Sequence, residues 1–278
     1  MQKHFYLCQR ILGYFLGFVL FYEPFTFFYN ICAPFFPEVG FTSIHVPCAK
    51  IPLYAIAAGE LGRQDPISFF FCFLLIMTAL WFGPLFCGRL CPSGAFAELL
   101  SHLVPAKWQL EWRKILPILP VRYGFFLGFI FSSFLGLGLP CSYCNYYAFE
   151  LLISSIHAGR LLLTSASLVL TFVLAFIVLG LFTKGGRGYC NLLCPVGTAS
   201  MLLHYLGKRL PGSMEMQVEQ AKCIGCGSCE RACPMQAIAL KNTKASIDIQ
   251  HCLTCGKCQH VCPKKAIRYG RVSSNEEN

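Results

Sequence analysis

Residues 223–234 read Cys223-Ile224-Gly225-Cys226-Gly227-Ser228-Cys229-Glu230-Arg231-Ala232-Cys233-Pro234, and residues 252–263 read Cys252-Leu253-Thr254-Cys255-Gly256-Lys257-Cys258-Gln259-His260-Val261-Cys262-Pro263. Both are C-x2-C-x2-C-x3-C-P. Three closely spaced thiolates cap three corners of an iron–sulfur cube, and in a paired run the fourth cysteine crosses to the other cube. The spacing assigns Cys223, Cys226, Cys229 and Cys262 to one [4Fe–4S] cluster. It assigns Cys252, Cys255, Cys258 and Cys233 to a second. A pair of zinc ribbons is the alternative, because C-x2-C is also zinc spacing. Zinc takes four ligands and has no use for the third cysteine or the proline of each run. The cluster reading predicts one-electron chemistry.

Outward from these runs, the composition changes abruptly. The chain has 278 residues, 55% of them hydrophobic and only 13% charged, with a mean hydropathy of +0.56. Soluble domains carry about twice that share of charge. The apolar excess lies before Leu210. The expected organisation is therefore a transmembrane domain over residues 1–209 and a small α+β domain with the two [4Fe–4S] clusters over residues 210–278. Four apolar stretches have the length a helix needs to cross a bilayer. They run roughly from Ile11 to Phe28, Ile67 to Phe86, Val121 to Leu139 and Leu161 to Phe182. Lys3 and Arg10 precede the first, as in a signal peptide. No small-x-small cleavage site follows and Glu23-Pro24 interrupts it, so it reads as a retained helix.

The basic residues orient this arrangement. The segment from Cys87 to Arg122 holds Arg89, Lys107, Arg113, Lys114 and Arg122, and Lys184 and Arg187 follow the fourth stretch. Only Lys50, Arg63 and Arg160 fall in the opposite loops. That asymmetry places both termini in the cytoplasm of a bacterial or archaeal cell, where thiols stay reduced. The net charge of +10 then reads as a topology signal, and nucleic acid is not an expected partner.

The first 209 residues also contain a repeat. Residues 87–100, CGRLCPSGAFAELL, and 190–203, CNLLCPVGTASMLL, share the two cysteines, the intervening leucine, the proline, the glycine and the closing Leu-Leu. The transmembrane domain therefore reads as a duplicated helical hairpin with a pseudo-twofold axis. Each copy carries C-x3-C-P, the ending of the cluster runs. A single motif supplies two thiolates. Two related by a twofold supply four, and Cys87, Cys91, Cys190 and Cys194 become candidates for a further iron centre at the inner face. Free thiols packing a helix boundary are the other reading. The proline after each second cysteine suits the first turn of a following helix.

Cys32 and Cys48 lie after the first stretch, and Cys141 and Cys144 after the third. These four are candidates for outer-face disulfides or for an outer-face metal centre. Cys8 and Cys72 read as small apolar residues. Glu23 is a candidate proton acceptor, because a carboxylate within an apolar span is a functional candidate by default; an interfacial glutamate before a helix-ending proline is the alternative. His45, Glu60, His102 and His157 have no partner at motif spacing. No dinucleotide, P-loop or hydrolase motif is present.

Four apolar stretches, two C-x3-C-P motifs and the paired cluster runs together resemble the NapH/NosR-type polyferredoxin family, 4Fe–4S membrane proteins that include the membrane component of a quinol dehydrogenase. The eight C-terminal cysteines form the double run of a bacterial-type ferredoxin. The resemblance covers almost the whole chain. It implies that those eight cysteines are cluster ligands and that Cys87, Cys91, Cys190 and Cys194 are the family's membrane-edge cysteines. Measured against the family, the chain is expected to lack the large flavin-binding domain of NosR-type members and the extra C-terminal domain of CcoG-type members. The cysteines at 32, 48, 141 and 144 stand outside the family pattern.

The resulting expectation is a membrane-bound iron–sulfur electron-transfer subunit. It would relay electrons between the quinone pool, or a cytoplasmic donor, and a redox partner, and the outer cysteines would extend the relay across the membrane. Its expected cofactors are two [4Fe–4S] clusters, further iron in the membrane domain and quinone. Its expected partners are membrane lipid and other subunits of a redox complex, such as a ferredoxin-like, flavoprotein or cytochrome partner. Two other classes stand beside this one: a maturation factor delivering reductant to another enzyme's metal or thiol, and a redox sensor.

Overall fold

The computed structural model describes residues 2–22, 25–35, 66–135, 139–162 and 165–271, with isolated residues at 53, 56 and 59. Glu23, His45, Cys48 and Glu60 lie outside the described residues. Helix α1 spans Gln2–Phe21 and α2 spans Phe27–Cys32. Helix α3, Pro66–Phe82, leads through a π-helical turn at Phe86–Leu90 into α4, Pro92–Ser101. Helices α5, Ile118–Phe134, and α6, Asn145–Ala158, follow. Helix α7, Ala166–Phe172, continues as a π-helix over Val173–Leu181, and then come α8, Gly188–Leu192, and α9, Pro195–Gly207.

The expectation of four membrane-crossing helices is not met: no described helix is long and apolar enough to cross a membrane. Length and charge explain this. Helices α3 and α5 have 17 residues each, which at 1.5 Å per residue span about 25 Å, short of a hydrocarbon core of about 30 Å. The fourth stretch holds seven α-helical residues before it rewinds into nine π-helical ones. Helix α1 has 20 residues, but Lys3, Gln9 and Arg10 occupy its first half.

The repeat has a structural meaning that the sequence did not show. Cys91 (φ −70°, ψ 106°) and Cys194 (φ −67°, ψ 114°) are both extended residues capping a helix that starts at proline. The amide of Cys91 donates to Phe86 O and that of Cys194 to Tyr189 O, five residues back in each case. The proline ring forces this: it disfavours helical geometry in the residue before it and suits the first helical position after it. The two halves then exchange partners. Helix α9 of the second half packs on α3 of the first, and α4 of the first packs on the π-helical segment of the second. At the α9–α3 crossing, a Cβ at Gly207 would lie 2.2 Å from Leu80 O, so the backbones touch.

Aromatic rings fill the core between the halves. Phe21 meets Phe71 at 5.0 Å and Phe71 meets Phe86 at 5.5 Å, both edge-on. Phe149 and Phe176 continue the cluster. Burying each such ring stabilises by about 1.5–3 kcal/mol, and edge-on pairing adds up to roughly 1.5 kcal/mol.

The C-terminal unit is α+β. Strand β1, Met214–Val218, pairs antiparallel with β4, Ile267–Arg271, from Met214↔Arg271 to Val218↔Ile267. Strands β2, Ile238–Lys241, and β3, Lys244–Ile247, form a hairpin whose turn residues Asn242 and Thr243 have φ of 49° and 63°, matching the right-handed twist of the strands. Short helices α10, Ser228–Ala232, and α11, Lys257–Val261, pack on each other. Gly227 (φ 71°) and Gly256 (φ 77°) start them in the left-handed region that glycine enters without strain.

Candidate iron–sulfur centres

Two cavities form inside the C-terminal unit. Cys223, Cys226, Cys229 and Cys262 line the first, with Ile224, Leu240 and Ile267 around them. Cys233, Cys252, Cys255 and Cys258 line the second, with Met216, Ile238 and Leu253. Each cavity thus draws three cysteines from one run and the fourth from the other. The turns also aim backbone amides at sulfur. Ala237 N donates to Cys233 Sγ at 3.3 Å, Thr254 N to Cys252 Sγ at 3.4 Å, and Ala266 N to Cys262 Sγ at 3.3 Å. Such bonds favour thiolate and tune cluster potentials.

Burial acts the other way. It pushes the Cys233 thiol up to about 11, with Cys255 adding to the rise, and it pushes Cys252 and Cys258 well up too. Buried neighbouring thiols of this kind become ligands only when a cation offsets their charge. Among the described residues, no three His, Cys, Asp or Glu side chains close around a single ion. Four cysteines line each cavity, a donor set that suits a cube of iron and sulfide.

A third group of thiols lies outside that unit. Cys87, Cys91, Cys190 and Cys194 converge from the two C-x3-C-P segments, close enough that each of Cys87, Cys91 and Cys194 is raised by at least one of the others, although burial is the larger cause. Gly197 N donates to Cys194 Sγ at 3.4 Å across the start of α9. Cys87 and Cys190 share one apolar cluster with Met201, Met235, Ala237 and Leu253, and Cys233 and Cys252 pack against it. The third group and the second cavity are therefore walls of the same core.

Charged side chains hold this region together. Glu98 on α4 accepts from Arg10 at 2.7 Å and lies 3.4 Å from both Arg187 and Lys257. Burial alone would raise the Glu98 carboxyl, but Arg187, Arg10 and Lys257 hold it down to about 2. Arg122 and Arg187 are the two largest fully buried side chains among the described residues. Both guanidinium groups lie beside the cysteine core, with Cys190 among the groups acting on each. Sequence reasoning missed Glu98, Arg187 and Arg122 as site residues. One signal was present: Glu98 is the sole acidic residue between positions 66 and 110, inside the repeated motif.

The remaining candidates are dispersed. Cys144 lines a cavity of about 290 Å³ together with Pro195, Tyr143 and one face of α5 that includes Gly124 and Gly128. It therefore lies beside the second C-x3-C-P segment, not across the molecule from it. Cys144 caps α6 with the same extended backbone (φ −90°, ψ 113°), and its amide donates to Cys141 O at 3.2 Å. Cys32 is buried in the aromatic core. Cys8 is exposed and Cys72 half-buried. His102 and His157 are exposed. A buried carboxylate that sequence reading passed over, Glu150, stands near the fully buried Tyr22 and its ring partner Tyr146.

A two-cavity cysteine unit joined to a helical body with cysteine pairs of its own defines an iron–sulfur electron-transfer protein. Comparison with known proteins agrees. The chain matches the family model of a 4Fe–4S dicluster domain over residues 222–266 and that of a 4Fe–4S binding domain over residues 66–111 and 166–213. The second match contains both C-x3-C-P motifs. The chain is 29% identical over 185 residues to the regulatory protein NosR of Pseudomonas aeruginosa, covering 64% of this chain and 24% of that protein. It is 24% identical over 195 residues to the putative electron transport protein YccM of Escherichia coli, covering 65% of this chain and 50% of the other. An uncharacterized protein of Methanocaldococcus jannaschii is 27% identical over 167 residues, 59% of this chain and 56% of the other. The matches thus span between a quarter and just over half of these relatives' lengths. No solved structure matches the chain. The chain is thus similar to NosR and to a putative electron transport protein, and its family matches give it [4Fe–4S] clusters as cofactors.

Proposed function

We propose that the chain is a relay subunit at a membrane, passing single electrons between its ferredoxin unit and a third iron–sulfur centre held by Cys87, Cys91, Cys190 and Cys194. The observation that carries this reading is the shared apolar core in which Cys87 and Cys190 pack with Cys233 and Cys252. When bound, a [4Fe–4S] cluster supplies reversible one-electron chemistry. The chain's own residues keep the route dry: Met201, Met235 and Leu253 pack in one apolar cluster with Cys87 and Cys190.

The quinone pool or a cytoplasmic donor feeds the relay, and a separate redox partner drains it, since the described residues supply no substrate chemistry of their own. Lipid is the proposed surround of the helical body. Leu12, Phe15, Phe73, Phe131 and Leu170, spread over four helices, are each more than half exposed, and a lipid surround would cover them.

Iron and acid-labile sulfide per chain, measured on anaerobically purified protein with EPR of the reduced form, test the reading. About twelve irons is the expected value and about eight would overturn the third centre, leaving only the ferredoxin pair. Recovery of the protein in the soluble fraction without detergent would overturn the membrane assignment.

A further inference from the structure

Two guanidinium groups flank the four thiols of the C-x3-C-P segments, and each is only 1% exposed. Arg122 on α5 donates through Nε to Asn191 O at 2.7 Å, through Nη2 to Asn191 Oδ1, and through Nη1 to Gln250 O at 2.5 Å. These partners are neutral, and among the described residues Arg122 forms no ion pair. The ionisable groups that face it include Tyr123, Asp248, Cys194, Cys190 and His251. Asp248 is already engaged by Arg113 at 2.8 Å and His251 at 3.1 Å. On the other side, Arg187 donates to Cys87 O at 3.0 Å and lies 4.0 Å from Cys190 Sγ. It shares the single carboxylate of Glu98 with Arg10 and Lys257.

Among the side chains that contact these two arginines or share their carboxylate, positive charge thus exceeds negative charge. Three cations share one carboxylate, and a fourth cation has none. A buried charge without a partner is costly. Burial pushes the Arg122 guanidinium down to about 10, so it keeps its proton at neutral pH and the charge is real. Neutral thiols do not offset it. Four thiolates around an iron–sulfur cube do, because that assembly is anionic and becomes more so on reduction. The second ferredoxin cavity is built differently: cysteines and apolar side chains line it, with no basic group among them.

We propose that Arg122 and Arg187 are charge-setting positioning residues for the centre at Cys87, Cys91, Cys190 and Cys194, holding its reduction potential above that of the cluster at Cys233, Cys252, Cys255 and Cys258. Electrons then run from the ferredoxin unit into the helical body. In that step the donor cluster loses one electron, the acceptor centre gains one, and no atom or proton is exchanged. The inference rests on the third centre of the proposed function. Arg122 also spans the two sites, since Asn191 adjoins Cys190 and Gln250 lies two residues before Cys252.

Redox titration of the full chain, followed by EPR, tests it with Arg122→Gln, Arg122→Lys and Glu98→Gln. Arg122→Gln is expected to lower the midpoint of the third centre by at least 59 mV, a tenfold change for one electron, and to move the ferredoxin signals by less than half as much. Arg122→Lys keeps the charge and is expected to stay close to wild type. Glu98→Gln removes the one carboxylate and is expected to raise the midpoint. An unchanged third midpoint in Arg122→Gln with its iron retained overturns the proposal, as does an equal shift of every signal. If Arg122→Gln loses its iron, Glu98→Gln decides, and a fall or no change there overturns the proposal. A wild-type count of about eight irons removes the third centre itself, and the assignment of these arginines with it.

Discussion

Gly88 lies so close to Leu253 that a Cβ on the glycine would stand 2.1 Å from the leucine carbonyl oxygen and 3.2 Å from Cys255 N. Gly88 follows Cys87 in one motif and Leu253 follows Cys252 in another, so this contact sets how near the two sulfur groups come. Gly88→Ala forces backbone apart where no flexible side chain can yield. A loss of about 1–3 kcal/mol is expected, with faster amide exchange at residues 252–256. Wild-type stability and exchange in Gly88→Ala would show that the two segments do not meet so closely.

The two ferredoxin cavities make separable demands on their ligands. Cys252→Ser is expected to lose about four irons and the signal of one cluster while the other keeps its signal, and Cys223→Ser to do the converse. Cys8→Ser, at an exposed position on α1, is expected to leave the count unchanged. Iron and sulfide assays on the three variants decide this.

Burial separates two arginines that look alike in sequence. Arg113 pairs with Asp248 at 2.8 Å, but the two side chains are 36% and 31% exposed, and such pairs contribute about 0–1 kcal/mol. Arg122 satisfies three acceptors in a dry core. Replacing it with Ala strands those acceptors at about 1–3 kcal/mol each before relaxation. Urea unfolding is expected to show less than about 1 kcal/mol lost for Arg113→Ala and more than about 3 kcal/mol for Arg122→Ala. Similar losses in the two would contradict the buried placement of Arg122.

Glu98 makes stability depend on acid. Its folded carboxyl is held down to about 2 against an ordinary value of 4.5. The depressed value means that its contribution is fully present above about pH 4.5 and fades as pH falls toward 2. At 1.36 kcal/mol per unit this amounts to roughly 3 kcal/mol. Wild type is therefore expected to exceed Glu98→Gln in stability near neutral pH, with the gap closing between about pH 4.5 and pH 2. A gap that holds constant across that range would refute the assignment.

Much of the chemistry was legible along the chain. Ligand spacing is a local property, because a C-x2-C-x2-C turn with glycine at 227 or 256 presents its thiols wherever it is placed. The extended geometry of Cys91 and Cys194 was likewise written in the following prolines. The four apolar stretches misled because apolar composition records that side chains avoid water, not how many residues one helix keeps. Helix α3 stops at Phe82, and the fourth stretch rewinds after Phe172.

By itself the sequence determined the cysteine groups, the metal they suit, the duplication and the local turns, because spacing and repetition are read along the chain. The tertiary structure alone decided that the halves exchange helices, that the C-x3-C-P thiols share a core with Cys233 and Cys252, and that Arg122 and Arg187 lie beneath the surface. Burial and charge balance depend on groups brought together across more than a hundred residues of chain, as Arg122 and Gln250 are, and no local pattern encodes them.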